Sequence, residues 1–197
     1  MEKANYFNTR KLVLLALFTA IVVVLQFIGA FIKFGPFSIS LVLLPIAVGA
    51  ALIDTYAGAW LGLVFGFVVL ITGDAAPFLM INVFGTVLIV LLKGALAGFA
   101  AGLAYKLFSE KNKTLAAAIA AVVCPIVNTG IFIIGSYIFF LPTITEWGAA
   151  AGYANGTAFL FLGMVGLNFI VELGLNLVLI PVIVRLIQYG QGRRAIA

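Results

Sequence analysis

Long apolar stretches separated by short polar breaks are the dominant pattern along this chain. The pattern predicts six membrane helices, at about 11–32, 39–53, 56–72, 79–107, 114–141 and 158–189. The second and third are short, about 15–17 residues, so we expect them to tilt or not to cross fully. The fourth is too long for one span, so we expect irregular or re-entrant structure before Gly85.

Composition agrees with a lipid environment. Of the 197 residues, 65% are hydrophobic and 9% are charged, against roughly 45–50% and about 25% in soluble domains. The first apolar run, of about 21 residues, is longer than the apolar core of a signal peptide, so we expect a retained helix. The sequence therefore predicts an all-α, multi-pass membrane bundle that forms a single domain over 1–197.

The charges predict the orientation of this bundle. Nine basic residues fall on one side of the six-helix arrangement: Lys3, Arg10, Lys11, Lys106, Lys111, Lys113, Arg185, Arg193 and Arg194. Only Lys33 falls on the other, together with Asp74 and Glu146. Because cytoplasmic loops are enriched in Lys and Arg, we expect both termini in the cytoplasm. The net charge of +5 therefore indicates membrane topology and not nucleic-acid binding.

Several classes of chemistry lack the residues they need. The chain has one cysteine, Cys124, and no histidine, which leaves no zinc site and no histidine-dependent catalysis. It also lacks the GxxxxGK[ST] pattern of nucleotide-hydrolysing loops. We expect no metal, no cofactor and no catalytic residue, and any enzyme would depend on Lys93 and Glu172 alone.

Four polar residues lie at one predicted depth. Lys93, Asn128, Glu172 and Gln26 each stand 14 or 15 residues from the cytoplasmic end of their helices, about 20 Å at 1.5 Å per residue. A charged group at the bilayer centre costs about 2.5–3.5 kcal/mol on insertion scales, so such residues face protein or water. The shared level predicts a polar layer inside the bundle.

The last helix strengthens this prediction. Asn168, Glu172 and Asn176 are spaced by four residues and share one face. Two interpretations stay open. Lys93 and Glu172 form a buried ion pair that pins two helices together, or the layer lines a ligand pocket. Asn128 follows Pro125, which kinks its helix for packing or for ligand contact.

The outward loops suggest a cover for such a pocket. GPFS at 35–38, GDAAPFLMIN at 73–82 and TITEWGAAAGYANG at 143–156 combine proline, glycine and large aromatics. The candidates for closing over a ligand are Phe37, Phe78, Asn82, Trp147 and Tyr153. The alternative is that the aromatics lie at the headgroup level, as in many membrane proteins.

Small residues recur at helical spacing in two segments. Gly94, Gly98 and Gly102 in GALAGFAAG form a double small-xxx-small pattern, which predicts close helix packing. Ala16 and Ala20 form a shorter step of the same kind in the first helix.

These features together resemble the substrate-binding S components of energy-coupling factor (ECF) vitamin transporters. The resemblance covers the whole chain and lies in the basic start before Ala16 and Ala20, in FGPFSISLVLLPIAVGAALIDTYAGAWLGLVFGFV (34–68) and in LLKGALAGFAAGLAYKLF (91–108). It implies capture of a vitamin from outside in a pocket under the first and third outward loops. It also implies that Ala16 and Ala20 dock on a transmembrane coupling subunit, that two separate ABC ATPase subunits hydrolyse ATP, and that the protein topples to release its ligand.

VVCPIVNTGIFIIGSYIFF (122–140) and PFSISLVLLPIAVGA (36–50) are most similar to pantothenate-specific members. Lys93 would then take the carboxylate of pantothenate, and Asn128, Asn168 and Gln26 its hydroxyls and amide. Because Glu172 can neutralise Lys93, riboflavin, pyridoxine or folate stay open as alternatives. The location implied is a bacterial plasma membrane.

Three other classes compete with this interpretation. A stand-alone secondary transporter or channel would use Glu172 as a proton or ion relay. An integral-membrane enzyme would lose turnover but keep binding when Lys93 is neutralised. A structural scaffold would bind no specific ligand.

Overall fold

A computed structural model describes residues 9–31, 33–34, 37–38 and 41–190. In chain order its elements are α1 (Thr9–Ala30), β1 (Lys33–Phe34), β2 (Phe37–Ser38), α2 (Leu43–Leu52), α3 (Thr55–Thr72), α4 (Ala76–Leu79), α5 (Val83–Ser109), α6 (Lys113–Phe139), α7 (Leu141–Ala150), α8 (Gly156–Ala158), a π-helical segment (Phe159–Gly166), α9 (Leu167–Val178) and α10 (Ile180–Gly190).

The all-α prediction is confirmed. The described residues contain five helical segments that are long and apolar enough to cross a membrane, together with the shorter apolar helix α2. The exception to the helical pattern is small: β1 and β2 pair antiparallel over two residues each. The chain is therefore a multi-pass membrane bundle.

The helix bounds differ from the predicted ones in four places. The predicted helix at 79–107 is divided into α4 and α5, with a break before Val83. Helix α2 has 10 residues and is about 15 Å long, too short to span a bilayer by itself. The predicted loop at 142–155 contains helix α7. The predicted helix at 158–189 is interrupted: it is a π-helix over Phe159–Gly166, α9 ends at Val178, and α10 begins at Ile180.

Short polar side chains begin four of the helices. Asp54 accepts a hydrogen bond from the Ala57 N–H at 2.9 Å, and Asn82 accepts one from the Gly85 N–H at 2.8 Å. Asn112 and Asn155 cap α6 and α8 in the same way. Such caps satisfy amide groups that the helix itself leaves unpaired, which explains why the polar breaks fall where helices start.

Helices α3 and α5 pack along a seam of glycines. A methyl group added at Gly62 would meet the carbonyl oxygen of Gly94, and one added at Gly58 would meet that of Gly98. Likewise, a methyl group added at Gly94 would meet the carbonyl oxygen of Gly62, and one added at Gly98 would meet that of Gly58. The predicted small-xxx-small packing of α5 thus takes the form of backbone-to-backbone contact.

Helix α1 presents a single stripe to the bundle. Its buried residues are Phe18, Val22, Gln26 and Gly29, and they follow one helix face. Ala16 and Ala20 are exposed, about 160° around the helix from Phe18. The two alanines therefore lie on the outer face, away from the bundle core.

An aromatic cluster lies at the end of the bundle where α4 and α7 are found. Phe78 of α4 lies 4.9 Å from Phe140 and 5.8 Å from Trp147, between ring centroids. Around it pack Ile144, Leu160 and Met164, which are all buried. This cluster holds α4 and α7 over the space between α3, α5, α6 and α9.

Candidate functional site

A cavity lies inside the bundle, next to this aromatic cluster. Its empty volume is about 700 Å³, a figure that includes space open to solvent. Its polar lining consists of Gln26, Asp74, Lys93, Asn128, Thr129, Asn168 and Glu172. Its apolar wall includes four phenylalanines: Phe65, Phe78, Phe132 and Phe169.

Four of these polar residues come from four different helices. Gln26 lies on α1, Lys93 on α5, Asn128 on α6 and Glu172 on α9. These four were expected at one depth, and all four line the same cavity. Regular helix rise carries residues at equal distances from the helix ends to a common level.

Lys93 reaches the cavity between two aromatic rings. Its Nζ lies 5.7 Å from the ring centroid of Phe65 and 5.5 Å from that of Phe132. Both distances fit cation–π contacts, which partly compensate a desolvated ammonium. Among the described residues, Lys11 and Asp54 form a salt bridge at 3.3 Å, whereas no carboxylate oxygen lies within 4 Å of the Lys93 Nζ. The pinning ion pair between Lys93 and Glu172 is therefore not formed.

The predicted polar face of the last helix is held by its own hydrogen bonds. Asn168 Nδ2 donates to Glu172 Oε1 at 3.3 Å, and Asn176 Nδ2 donates to the Glu172 backbone carbonyl at 2.8 Å. Glu172 is only 3% exposed. These contacts fix the orientation of both amides. Each acceptor is an oxygen of Glu172, so the side-chain nitrogen of Asn168 and of Asn176, and not the side-chain oxygen, faces it.

Two amide oxygens in the cavity lining are buried without a hydrogen-bond partner. They are Oδ1 of Asn128 and Oδ1 of Asn168. Asn128 is 5% exposed. A buried acceptor left unpaired costs about 1–3 kcal/mol, so the fold holds two unsatisfied acceptors toward an interior space.

Asp74 and Thr129 are polar lining residues that sequence reasoning missed. Asp74 lies in the turn between α3 and α4. It follows Gly73, whose φ of 84° ends α3 in the left-handed conformation that glycine tolerates best. Its Oδ2 accepts from Gln26 Nε2 at 2.9 Å and from Thr72 Oγ1 at 3.4 Å. The signal available in the sequence was an acidic residue between a helix-ending glycine and Pro77, which turns the chain back over the bundle.

The other predicted site residues lie elsewhere. Asn82 caps α5, Trp147 packs behind Phe78, and Tyr153 packs on Phe159 with ring centroids 5.2 Å apart. Asn176 lines a smaller void of about 210 Å³ that Glu172 also borders. The side chain of Phe37 lies outside the described residues. Their parts in binding stay predictions.

The arrangement is suited to binding. Within residues 9–31, 33–34, 37–38 and 41–190, no group of three His, Cys, Asp or Glu side chains comes together to hold a metal ion. Polar groups from four helices and one turn converge on one interior space. Fold and cavity together define a multi-pass membrane protein with an internal ligand site.

Comparison with known families identifies the class further. The model of the family "ECF transporter, substrate-specific component" matches residues 10–184, and the chain belongs to this family. The family consists of substrate-binding transport subunits that are generally non-catalytic, and it implies a vitamin substrate and a module of coupling and ATPase subunits. Neither a curated protein nor a solved structure matches the chain.

Proposed function

We propose that this protein captures a water-soluble vitamin on the outer side of a bacterial plasma membrane and delivers it to an ATP-driven coupling module. The whole chain acts as one binding subunit with both termini in the cytoplasm. Its partners are one coupling subunit and two ABC ATPases. The observation that carries the proposal is the convergence of Gln26, Lys93, Asn128, Asn168 and Glu172 on one cavity in a chain of this family.

Pantothenate is the vitamin that the sequence resemblance suggests, with riboflavin, pyridoxine and folate as alternatives. A ligand acceptor group would bind the Lys93 ammonium, and ligand hydroxyls or amides would bind Asn128, Asn168 and Gln26. The phenylalanines of the cavity wall would contact its apolar part. Phe78, with Trp147 behind it, would cover the ligand from the outward end.

The direct test is thermal unfolding of the purified chain in detergent against these four vitamins. A ligand that binds only the native state stabilises it by RT ln(1 + [L]/Kd), about 2.7 kcal/mol at 100 times Kd. We expect a clear shift with one vitamin. An unfolding temperature that none of the four changes contradicts capture of these vitamins.

The docking role of Ala16 and Ala20 needs a separate test. Both are exposed on the outer face of α1, where small residues allow another helix to approach closely. We expect Ala16→Trp and Ala20→Trp to abolish assembly with the coupling subunit, measured by co-purification, and to leave vitamin binding intact. Ile134→Trp, at an exposed position of α6, is the control and should assemble normally. If binding falls as far as assembly does, the docking surface lies elsewhere.

One observation favours a second candidate function. Glu172 borders both the main cavity and the smaller void near Asn176, an arrangement suited to passing a proton between two spaces. A stand-alone secondary transporter would take up substrate into liposomes without ATPase partners, and Glu172→Gln would abolish that uptake. Uptake that requires the ATPases rules this candidate out.

A further inference from the structure

One hydrogen bond joins α1 to the turn that precedes α4. Gln26 Nε2 donates to Asp74 Oδ2 at 2.9 Å, between residues 48 positions apart in the chain. Gln26 is 2% exposed, and within the described part of the chain this is the hydrogen bond that its side chain makes. Because burying an amide costs free energy unless it is hydrogen-bonded, this bond explains how a polar residue is accommodated on the inner face of α1.

The turn that Gln26 contacts is the base of the aromatic cover. Asp74 lies between Gly73, whose φ is 84°, and the start of α4. Phe78 in α4 is 4% exposed, and its ring centroid lies 5.7 Å from that of Phe132 in the cavity wall. Helix α4 has four residues, and so short a helix is not stable by itself. The position of Phe78 therefore depends on contacts that anchor the turn.

Helix α1 is itself lightly held by the bundle. It buries the smallest share of its length among the five long helical segments of the described chain. Four residues form its buried stripe, and Gln26 is the polar one among them. Its outer face, with Ala16 and Ala20, is exposed. Since an element with few buried contacts moves at low free-energy cost, a displacement of α1 would act on the turn through Gln26.

We propose that Gln26 is a positioning residue that holds the turn at Asp74, and with it α4 and Phe78, over the cavity. Loss of this hydrogen bond opens the end of the cavity that α4 covers, and so speeds the exchange of a ligand. The inference deepens the proposed function, because α1 is also the helix proposed to dock on the coupling subunit. The effect on ligand exchange rests on that function, whereas the effect on access to the cavity needs no ligand.

Access to the cavity can be measured as the alkylation rate of a cysteine placed in its wall. Val90 on α5 is buried and lines the cavity, and Val90→Cys changes the side chain little. Cys124→Ala removes the native thiol, which is buried. A water-soluble maleimide is added to the full chain in detergent, and modification is followed by mass spectrometry. When opening is fast, the rate follows the population of the open state.

Two substitutions break the bond in different ways. Gln26→Leu removes the donor and keeps a side chain of similar size. Gln26→Glu keeps the shape and places two carboxylates against each other. Because losing a hydrogen bond to a charged acceptor shifts an equilibrium on the order of tenfold, each variant should raise the alkylation rate about tenfold. The dissociation rate of a bound vitamin should rise by a similar factor.

Exchanging the two side chains provides a rescue. The double variant Gln26→Glu with Asp74→Asn keeps one amide and one carboxylate, so the hydrogen bond can form in the opposite direction. Asp74 has further interactions in the fold, so Asp74→Asn alone, which keeps an acceptor for Gln26, is the reference for the double variant. Both should be alkylated at similar rates.

Thr19→Val is the matched control on the same helix. Thr19 accepts a hydrogen bond from Trp60 Nε1 of α3 at 3.3 Å, so the substitution removes a bond between α1 and α3 that does not reach the turn. We expect the alkylation rate of Val90→Cys to stay unchanged in Thr19→Val.

The outcomes separate this inference from the proposed function. Faster alkylation in both single variants of Gln26, with recovery in the double variant, supports the positioning role. An unchanged rate in either single variant, or a double variant faster than Asp74→Asn, overturns it. If Gln26→Glu does not fold, Gln26→Leu against Thr19→Val decides alone. Alkylation that changes as expected in a chain that binds none of the four vitamins contradicts their capture and keeps the positioning role, and the converse result does the reverse.

Discussion

Helix α5 packs against α3 on one face and borders the cavity on another, and the two faces use opposite kinds of residue. Toward α3 it presents Gly94 and Gly98, which contact the backbone at Gly62 and Gly58. Toward the cavity it presents Lys93, whose ammonium lies between two aromatic rings. Gly94 and Lys93 are neighbours in sequence, about 100° apart around the helix.

The comparison shows how one helix can anchor the fold and build a site. The absence of side chains on the seam brings two backbones together and leaves no room for a ligand or for added atoms. Large and polar side chains on the cavity face keep the neighbouring helices apart, so that a space remains between them. A rigid seam on one side therefore supports an open site on the other.

The largest effect is expected from breaking the seam. Gly62→Ala places a methyl group against the Gly94 carbonyl, and overpacking of this kind costs about 1–3 kcal/mol or more. Gly62→Leu should prevent folding. The measurement is thermal unfolding in detergent.

Gly130→Ala is the matched control for the seam, since a methyl group there meets no atom within 4 Å. It should be neutral or stabilising by about 1 kcal/mol, because alanine favours the helix over glycine. Equal destabilisation by Gly62→Ala and Gly130→Ala would mean that the seam has no special importance.

Replacing the lysine should separate binding from stability. Lys93→Met removes a charged hydrogen-bond donor, and such bonds contribute about 1.5–3 kcal/mol, so we expect ligand affinity to fall at least tenfold. The ligand-free protein should unfold at the same or a higher temperature, because the membrane cost of the charge is gone. Calorimetry and thermal unfolding measure the two effects. Unchanged affinity would mean that Lys93 does not contact the ligand.

The smallest effects should come from single amides. Asn168→Ala removes one acceptor of the lining, so ligand affinity should fall by about 1 kcal/mol, roughly fivefold. Asn82→Ala, at a helix cap outside the lining, should leave affinity unchanged and lower stability by about 0.5–2 kcal/mol. Both are measured as for Lys93→Met. A loss of ligand affinity in Asn82→Ala would mean that Asn82 takes part in ligand binding.

Counting residues from the helix ends was enough to group four of the lining residues. Gln26, Lys93 and Asn128 lie on long helices whose rise per residue is constant, so their depth follows from sequence position. Glu172 lines the same cavity although its helix, α9, has only 12 residues and ends before α10 begins. Asp74 escaped this reasoning because it lies in a turn. Its position depends on the left-handed conformation of Gly73 and on the way α4 folds back, which no periodic pattern expresses.

The apolar length of the segments and the scarcity of charge are enough to establish a membrane bundle, because lipid selects such segments by local composition alone. The glycine spacing likewise indicates close packing of α5. The rotation of each helix against its neighbours decides which helix packs on that face of α5. It also decides whether Lys93 contacts Glu172 or the rings of Phe65 and Phe132. That rotation results from contacts between residues far apart in the chain, so it appears only in the folded protein.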